Sequence, residues 1–290
     1  MKAGVVGLGV GEQHIIGYRR VGVEVAAICD LDQAKAKSVA AKYDIPRIAD
    51  DFDDLLDECD MVSIASYDNY HGGQVVRALN AGKHVFCEKP LCMSWAELEA
   101  IKDAIRPGLI LTMNLPLRVH WARILKANYG QIVSTTGRYK WGRNRKFSGW
   151  RGKMGGYSLT LGGGIHLLDI QMSLHQGKLL GIVPTVALDG LLVGKTIVLG
   201  NSVATTISDF SYDGPHGHEL TVIGNKACSI DINHDPVDKT ALIPGFVGAC
   251  LGDGKVEPTT EHVFSLMEVC LCIEDSLACV KQQGNARQLQ

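Results

Sequence analysis

The chain has 290 residues, 46% hydrophobic and 21% charged, with a formal net charge of −2. That length admits two modest domains, and the charge balance gives no global electrostatic case for nucleic acid or a membrane surface. No apolar run approaches the roughly 20 residues of a membrane span, the cysteines are scattered without a Cys-x-x-Cys pair, and Met1–Gly7 leads straight into a strand-like run, so a reduced, cytoplasmic protein is expected.

Strand-like and helix-like segments alternate at first. Lys2–Gly7 is apolar and β-rich, Glu12–Arg20 is amphipathic, Val23–Cys29 is a second apolar run, and Leu31–Tyr43 is an Ala/Lys-rich helix. Phe52–Glu58 reads as a short helix, its acids in Asp50–Glu58 taken as a solvated helix start, not a metal site. Met61–Ala65 is a strand, and the helix Tyr70–Ala81 stops at Gly82, a favourable C-terminal cap. A further short strand begins at His84, the helix Ser94–Ile105 takes Ser94 as its N-cap, and Leu109–Met113 is another strand. Near-continuous apolar strands alternating with helices argue a parallel, doubly wound sheet, an α/β arrangement placed at residues 1–115.

The rhythm then changes, and residues 116–290 read as an α+β domain. Leu117–Asn128 is expected as a helix, and Val133–Trp141 alternates cleanly, with Val133, Thr135, Gly137, Tyr139 and Trp141 on one face. Strand-like runs follow at Gly181–Leu188, Val203–Tyr212, Glu219–Ile223 and Cys228–Ile232, with a hairpin turn at Gly224-Asn225-Lys226. Asn233–Glu257, rich in Gly, Pro and Asp, reads as irregular, and Thr260–Gln282 as a long helix.

Two places in the first domain carry chemistry. The turn Gly7-Leu8-Gly9-Val10-Gly11 follows a strand and opens a helix, where a bare backbone approaches a pyrophosphate at a positive helix end. Its third glycine comes one residue early for G-x-G-x-x-G. Asp30 closes the second strand, where a carboxylate accepts from an adenosine ribose and repels a 2′-phosphate, so NAD is favoured over NADP. The other place is Glu88-Lys89-Pro90. An apolar strand ending in an acid and a base is unusual, and ligands of parallel sheets bind at strand carboxyl ends.

These features, with Ala65-Ser66-Tyr67-Asp68-Asn69-Tyr70-His71 and Ala81-Gly82-Lys83-His84-Val85 ahead of Phe86-Cys87-Glu88-Lys89-Pro90, resemble the Gfo/Idh/MocA oxidoreductases. The resemblance implies a nicotinamide-dependent sugar or polyol dehydrogenase. Its fold is an N-terminal Rossmann domain and a C-terminal α+β domain with an open, mostly antiparallel sheet. It makes Pro90 a candidate cis proline, and sets Ser66, Tyr67, Asp68 and His71 along the nicotinamide edge with Glu88 and Lys89 beside the reacting carbon. A purely structural role for His71 stands beside that assignment.

In the second half, Arg138, Lys140, Arg143, Arg145, Lys146, Arg151 and Lys153 form a basic run with no acid, interleaved with aromatics. It reads either as a site for an anionic sugar, with Arg143, Arg145 and Arg151 as substrate contacts, or as a solvated loop or subunit contact. Beyond it, Gly162-Gly163-Gly164 leads into a helix with Leu167, Ile170 and Leu174 as a core stripe and His166, Asp169 and Ser173 as a polar stripe. A first-turn position would favour a neutral His166 ring able to take a proton. Gly164, His166 and Asp169 match the family's Asp-x-Gly-x-His-x-x-Asp, but Gly162 stands where its first Asp would be. Nucleotide-sugar dehydrogenases of the family also vary there, and Gly149–Gly152 resembles that branch.

The expected function is hydride transfer between NAD and a secondary sugar hydroxyl, on an anionic or nucleotide-linked sugar. Lys89 polarises the oxygen, His166 is the base, and Asp169 contacts substrate. A dinucleotide-binding sensor with reduced catalysis is the alternative, supported by Gly162. No metal and no nucleic acid are expected, and an open sheet face suggests a homo-oligomer, a dimer or tetramer.

Overall fold

The computed structural model describes residues 1–140, 158, 160–175, 179–187, 192–199, 202–209, 214–234 and 237–288. Two compact units emerge: Met1–Val119 with Asp238–Met267, and His120–Val237 with Glu268–Gln290.

In the first unit the elements are β1 (Lys2–Val6), α1 (Gly11–Arg20), β2 (Glu24–Cys29), α2 (Gln33–Tyr43), β3 (Arg47–Ile48), α3 (Phe52–Asp57), β4 (Met61–Ile64), α4 (Asp68–Asn80), β5 (His84–Cys87), α5 (Trp95–Ala104) and β6 (Leu111–Met113). The strands form one parallel sheet in the order β3-β2-β1-β4-β5-β6. Val5, Val62, Ile64, Val85, Phe86 and Cys87 are fully buried, because both sheet faces are covered. The order reverses between β1 and β4, the place where doubly wound sheets open a ligand crevice.

Local chemistry sets the helix starts. Asp32 caps α2 by accepting from Lys35 N. Asp51 caps α3 by accepting from Asp53 N and Asp54 N. At α5, Ser94 accepts from Glu97 N while Met93 N donates to the Glu97 carboxylate at 2.8 Å, a reciprocal cap. Within the same acidic run, Asp54 pairs with Arg47 and Asp53 with Arg77 at the surface.

In the second half, the expected helix at residues 117–128 is broken into α6 (Leu117–His120) and α7 (Ala122–Lys126). Trp121 sits at the break, its buried indole N–H donating to Asp231 at 2.9 Å. Then come β7 (Ile132–Lys140), a π-helical turn (Thr160–Gly164), α8 (Ile165–Leu174), β8 (Leu179–Ala187), β9 (Leu192–Leu199), β10 (Ser202–Asp209), β11 (Gly217–Gly224) and β12 (Cys228–Asn233). The sheet order is β12-β11-β7-β10-β9-β8. Among the described residues, β7 and β10 pair in parallel and the other pairings are antiparallel. Thr135, Gly137 and Tyr139 are buried, as the alternation of β7 required, and Val133 is exposed. At Gly137 a Cβ would meet Leu167 at 3.1 Å, so the missing side chain lets α8 lie close on β7.

Two expectations fail. The segment Asn233–Glu257 is not wholly irregular: it holds α9 (Ile243–Cys250), followed by α10 (Thr260–Gln288). Phe246 of α9 is fully buried and its ring lies 5.4 Å from that of Phe86, while a Cβ on Gly17 would sit 2.5 Å from Ile243 Cδ1. Burying Phe246 is worth about 1.5–3 kcal/mol, enough to return this stretch to the first unit. A single cut at 115/116 therefore misses Asp238–Met267. The polar stripe of α8 lies mostly in the interior: His166 and Asp169 are buried and Ser173 is exposed. Among the described residues, no helix is long and apolar enough to cross a membrane.

Candidate functional site

The glycine turn is built by backbone constraint. Gly7 has φ +81°, and a Cβ there would lie 2.4 Å from the Ala65 carbonyl oxygen. Gly11 opens α1 with Val5 Cγ1 only 2.9 Å from where its Cβ would be, whereas Gly9 faces open space. Asp30 ties this turn to the next one. Its Oδ2 accepts from Leu8 N at 2.5 Å and its Oδ1 from Asp32 N at 2.8 Å. A bare, turned backbone at a helix start, with a carboxylate at the end of β2, suits a dinucleotide's phosphates and adenosine ribose.

At the end of β4, the Ser66 hydroxyl donates to Gln74 at 2.6 Å. His71 is buried, with Nδ1 2.7 Å from the Pro90 carbonyl and Nε2 3.1 Å from the Ser66 carbonyl. Its ring thus bridges two loops. Tyr67 is exposed and Asp68 buried.

Glu88, Lys89 and Pro90 follow β5, and the Lys89-Pro90 bond is cis, as the resemblance implied. Lys89 is half-buried. Glu88 is buried and points inward: its Oε1 accepts from Asn114 Nδ2 at 2.7 Å and lies 3.3 Å from His14 Nε2. Burial pushes the Glu88 carboxyl upward, but the ammonium of Lys239, the His14 bond and the charge of Lys89 outweigh it and hold it well below the usual carboxylate range. Neither His14 nor Asn114 was singled out from the sequence. His14 stands three residues past Gly11 on the buried side of α1, where its only signal was a polar residue on an apolar face.

In the second unit, His166 and Asp169 lie on α8. The preceding π-helical turn is continuous with that helix, and its start is capped at Leu161 N by the Ser158 hydroxyl at 2.9 Å. His166 therefore lies deeper in a helical run than the sequence suggested, and the positive end of that run falls near Thr160. Around His166 gathers an aromatic group that sequence reasoning missed. His218 is edge-on to His166 at 6.3 Å and stacks on Tyr139 at 4.8 Å. His216 is edge-on to both Tyr139 and His218, and Trp121 is edge-on to His218. His216 immediately precedes β11 and His218 is its second residue, in a strand expected to begin only at Glu219, which is why they went unnoticed.

The basic run divides. Arg138 is paired with Asp209 and Lys140 with Glu219, on the strands beside β7. Arg143, Arg145 and Arg151 lie outside the described residues, as does the Gly149–Gly152 segment.

Comparison with known proteins gives the frame. Residues 1–113 match the Gfo/Idh/MocA model, described as an oxidoreductase family with an NAD-binding Rossmann fold. Inositol 2-dehydrogenase of Salmonella typhimurium is 38% identical over 110 residues, covering 36% of this chain and 33% of that protein. The chain thus spans about a third of the length of the first curated relatives it matches. Among solved structures, UDP-N-acetylglucosamine 3-dehydrogenase from Acidithiobacillus ferrooxidans superposes with a TM-score of 0.80 at 19% identity, covering 94% of this chain and 96% of that one. Scyllo-inositol dehydrogenase from Lactobacillus casei, with bound NAD(H) and scyllo-inositol, gives 0.81 at 19% identity, covering 95% and 96%. At such identities the superpositions show a shared fold.

Proposed function

We propose that this chain, whose first 113 residues are an NAD-binding Rossmann domain of the Gfo/Idh/MocA oxidoreductase family, is a dehydrogenase of a secondary hydroxyl on a sugar or cyclic polyol. The observation that carries the reading lies within one unit: a bare glycine turn at α1 and a lysine at the carboxyl end of β5, across the reversal of strand order. When bound, the nicotinamide supplies the hydride acceptor. Gly7, Gly9, Val10 and Gly11 hold its phosphates, Asp30 its adenosine ribose, and Ser66 and Tyr67 line its path. NAD is the preferred form, because the Asp30 carboxylate repels a 2′-phosphate.

In this reading Lys89 donates to the substrate oxygen and favours its alkoxide character. Glu88 beside it keeps the ammonium protonated, so Lys89 serves better as polariser than as base. His166 takes the hydroxyl proton and Asp169 orients the sugar. An anionic or nucleotide-linked sugar is the finer assignment. Its support is the set of Arg143, Arg145 and Arg151 together with the fold shared with the UDP-sugar enzyme.

The test is turnover. Purified protein is supplied with NAD and inositols, uronates or UDP-sugars while reduced cofactor is followed by absorbance. Lys89→Ala should lower kcat at least ~100-fold and leave NAD binding intact, the lower range for a positioned proton-handling group. Near-normal turnover in that variant overturns the mechanism. Binding of NAD and a sugar with no reduction for any of them favours the sensor reading, which Gly162 supports.

A homo-oligomer completes the proposal. By register, Ile230, Ile232, Ile223, Val203 and Val183 share the sheet face opposite the buried Gly137 and Tyr139, and all five are exposed. A second copy covering this face would remove that apolar surface from water. Ile232→Glu should then shift the mass measured by light scattering toward monomer; an unchanged mass counts against this face.

A further inference from the structure

We infer that His14 is a positioning residue for Lys89: together with Asn114 it clamps the carboxylate of the adjacent Glu88 in the interior of the first unit. The inference rests on the reading of Lys89 as the group that polarises the substrate oxygen.

Three separate segments converge on one carboxylate. His14 comes from α1, Glu88 follows β5, and Asn114 follows β6. Asn114 Nδ2 donates to Glu88 Oε1 at 2.7 Å, and the same nitrogen lies 3.0 Å from the Lys239 carbonyl. His14 Nε2 lies 3.3 Å from Glu88 Oε1, with the imidazole edge-on to Phe86 at 5.3 Å. The charged and titratable groups acting on Glu88 are Lys239, His14 and Lys89. His14 and Asn114 are both fully buried.

Packing alone does not explain this arrangement. His14 Nδ1 and Asn114 Oδ1 are buried with no hydrogen-bond partner. An apolar side chain at position 14 would fill the space against Phe86 without such an orphan, and an unsatisfied buried polar atom is costly to keep. What His14 offers that leucine does not is a donor aimed at Glu88. Its placement on α1 matters too, because that helix begins at the glycine turn. One rigid element thus links the proposed cofactor-phosphate turn to the acid next to Lys89. Without the clamp, the carboxylate is free to swing toward the adjacent ammonium. It would hold that ammonium protonated more strongly and compete with a substrate oxygen for its N–H groups.

The test reads Lys89 directly, without substrate. Wild-type protein, His14→Leu and His14→Gln are labelled with trace acetic anhydride across a pH series, and acetylation of Lys89 is followed by mass spectrometry. In His14→Leu the half-reactivity point of Lys89 should move up by about one pH unit, a roughly tenfold slower labelling at fixed pH below it. His14→Gln places an amide donor where Nε2 stands and should keep the wild-type profile. An unchanged profile in folded His14→Leu overturns the inference, and so does a glutamine variant that shifts as far as the leucine one. Should His14→Leu lack a cooperative unfolding transition, Asn114→Ser removes the other donor and is judged by the same shift. Absence of turnover on every sugar, with the labelling shift present, defeats the dehydrogenase reading and leaves the clamp standing.

Discussion

Lys195 lies in the middle of β9 with a relative exposure of 1%, its Nζ donating to the Thr160 hydroxyl at 2.9 Å. Burial pushes its ammonium down from 10.5 to about 8, opposed weakly by Cys270 and Glu274 on α10. The unfolded chain therefore holds this proton more tightly than the folded one. Near pH 7 the lysine is charged in both states, and the drop from 10.5 to about 8 corresponds to a folded-state penalty of about 3 kcal/mol. Lys195→Met removes that penalty and keeps most of the volume. It also strands the buried Thr160 hydroxyl, at a cost of about 1–2 kcal/mol. The variant should thus be more stable than wild type by about 1–2 kcal/mol near pH 7. Between about pH 8 and pH 10.5 the wild-type lysine loses its proton in the folded state first, so wild-type stability gains on the variant as pH rises. The difference should narrow by about 2 kcal/mol between roughly pH 7 and pH 9.5. Urea unfolding of both proteins at the two pH values measures it. A difference that does not move with pH refutes the argument, and a variant destabilised near pH 7 shows that Lys195 neutralises a buried anion.

Two further outcomes follow from the same reasoning. His175 bridges the hydroxyls of Thr135 and Ser202, and burial lowers its pKa from 6.5 to about 4, so it is held neutral in the folded protein. Its stabilising contribution is present above about pH 6.5 and is lost as pH falls toward 4, by up to about 3 kcal/mol; urea midpoints of wild type should drop over that window more steeply than those of His175→Gln. Asp30→Ala removes the acceptor of Leu8 N and Asp32 N and the charge that repels a 2′-phosphate, so calorimetric titration should show weaker NAD binding and a smaller NAD-over-NADP ratio, roughly tenfold each, an unchanged ratio counting against the role of Asp30 in cofactor choice.

The parts of this fold visible in the sequence are those where one local rule decides. Strands β1, β4 and β5 are short apolar runs because both faces of a parallel sheet are covered, and Ser94 announces α5 because a hydroxyl there meets a free backbone N–H. The glycine turn is legible for the same reason: at Gly7 a side chain has no room. Other parts depend on partners distant in sequence. β3 is two residues long and has no pattern to show. β9 has a lysine at its centre, which reads as an exposed position along the sequence; its burial and its bond to the Thr160 hydroxyl come only with the fold. α9 contains Gly245 and Gly248, poor helix formers, and is held by Phe246 packing on Phe86. The same division holds at the site. Lys89 stood out because charge at a strand end is anomalous on its own, whereas His14, Asn114 and His218 acquire meaning only through the groups that folding brings to them.

The basic run shows how that difference bears on substrate choice. Seven bases without an acid read as an anion site, since no neighbour in sequence neutralises them. Yet the neutralising charges come from across the sheet: Asp209 of β10 pairs diagonally with Arg138, and Glu219 of β11 with Lys140. Cross-strand pairing is invisible to a count along one strand, and it removes two of the seven from any argument about substrate charge. The case for an anionic sugar then rests on the remaining five, Arg143, Arg145, Lys146, Arg151 and Lys153. Glutamine at Arg143, Arg145 and Arg151 together separates the alternatives, because a bidentate clamp on a carboxylate or diphosphate needs a guanidinium and a neutral polyol does not. A rise in KM confined to charged sugars places the anion among those arginines. An equal KM for inositols and UDP-sugars in wild type and variant assigns the run to another surface and makes a neutral polyol the better substrate.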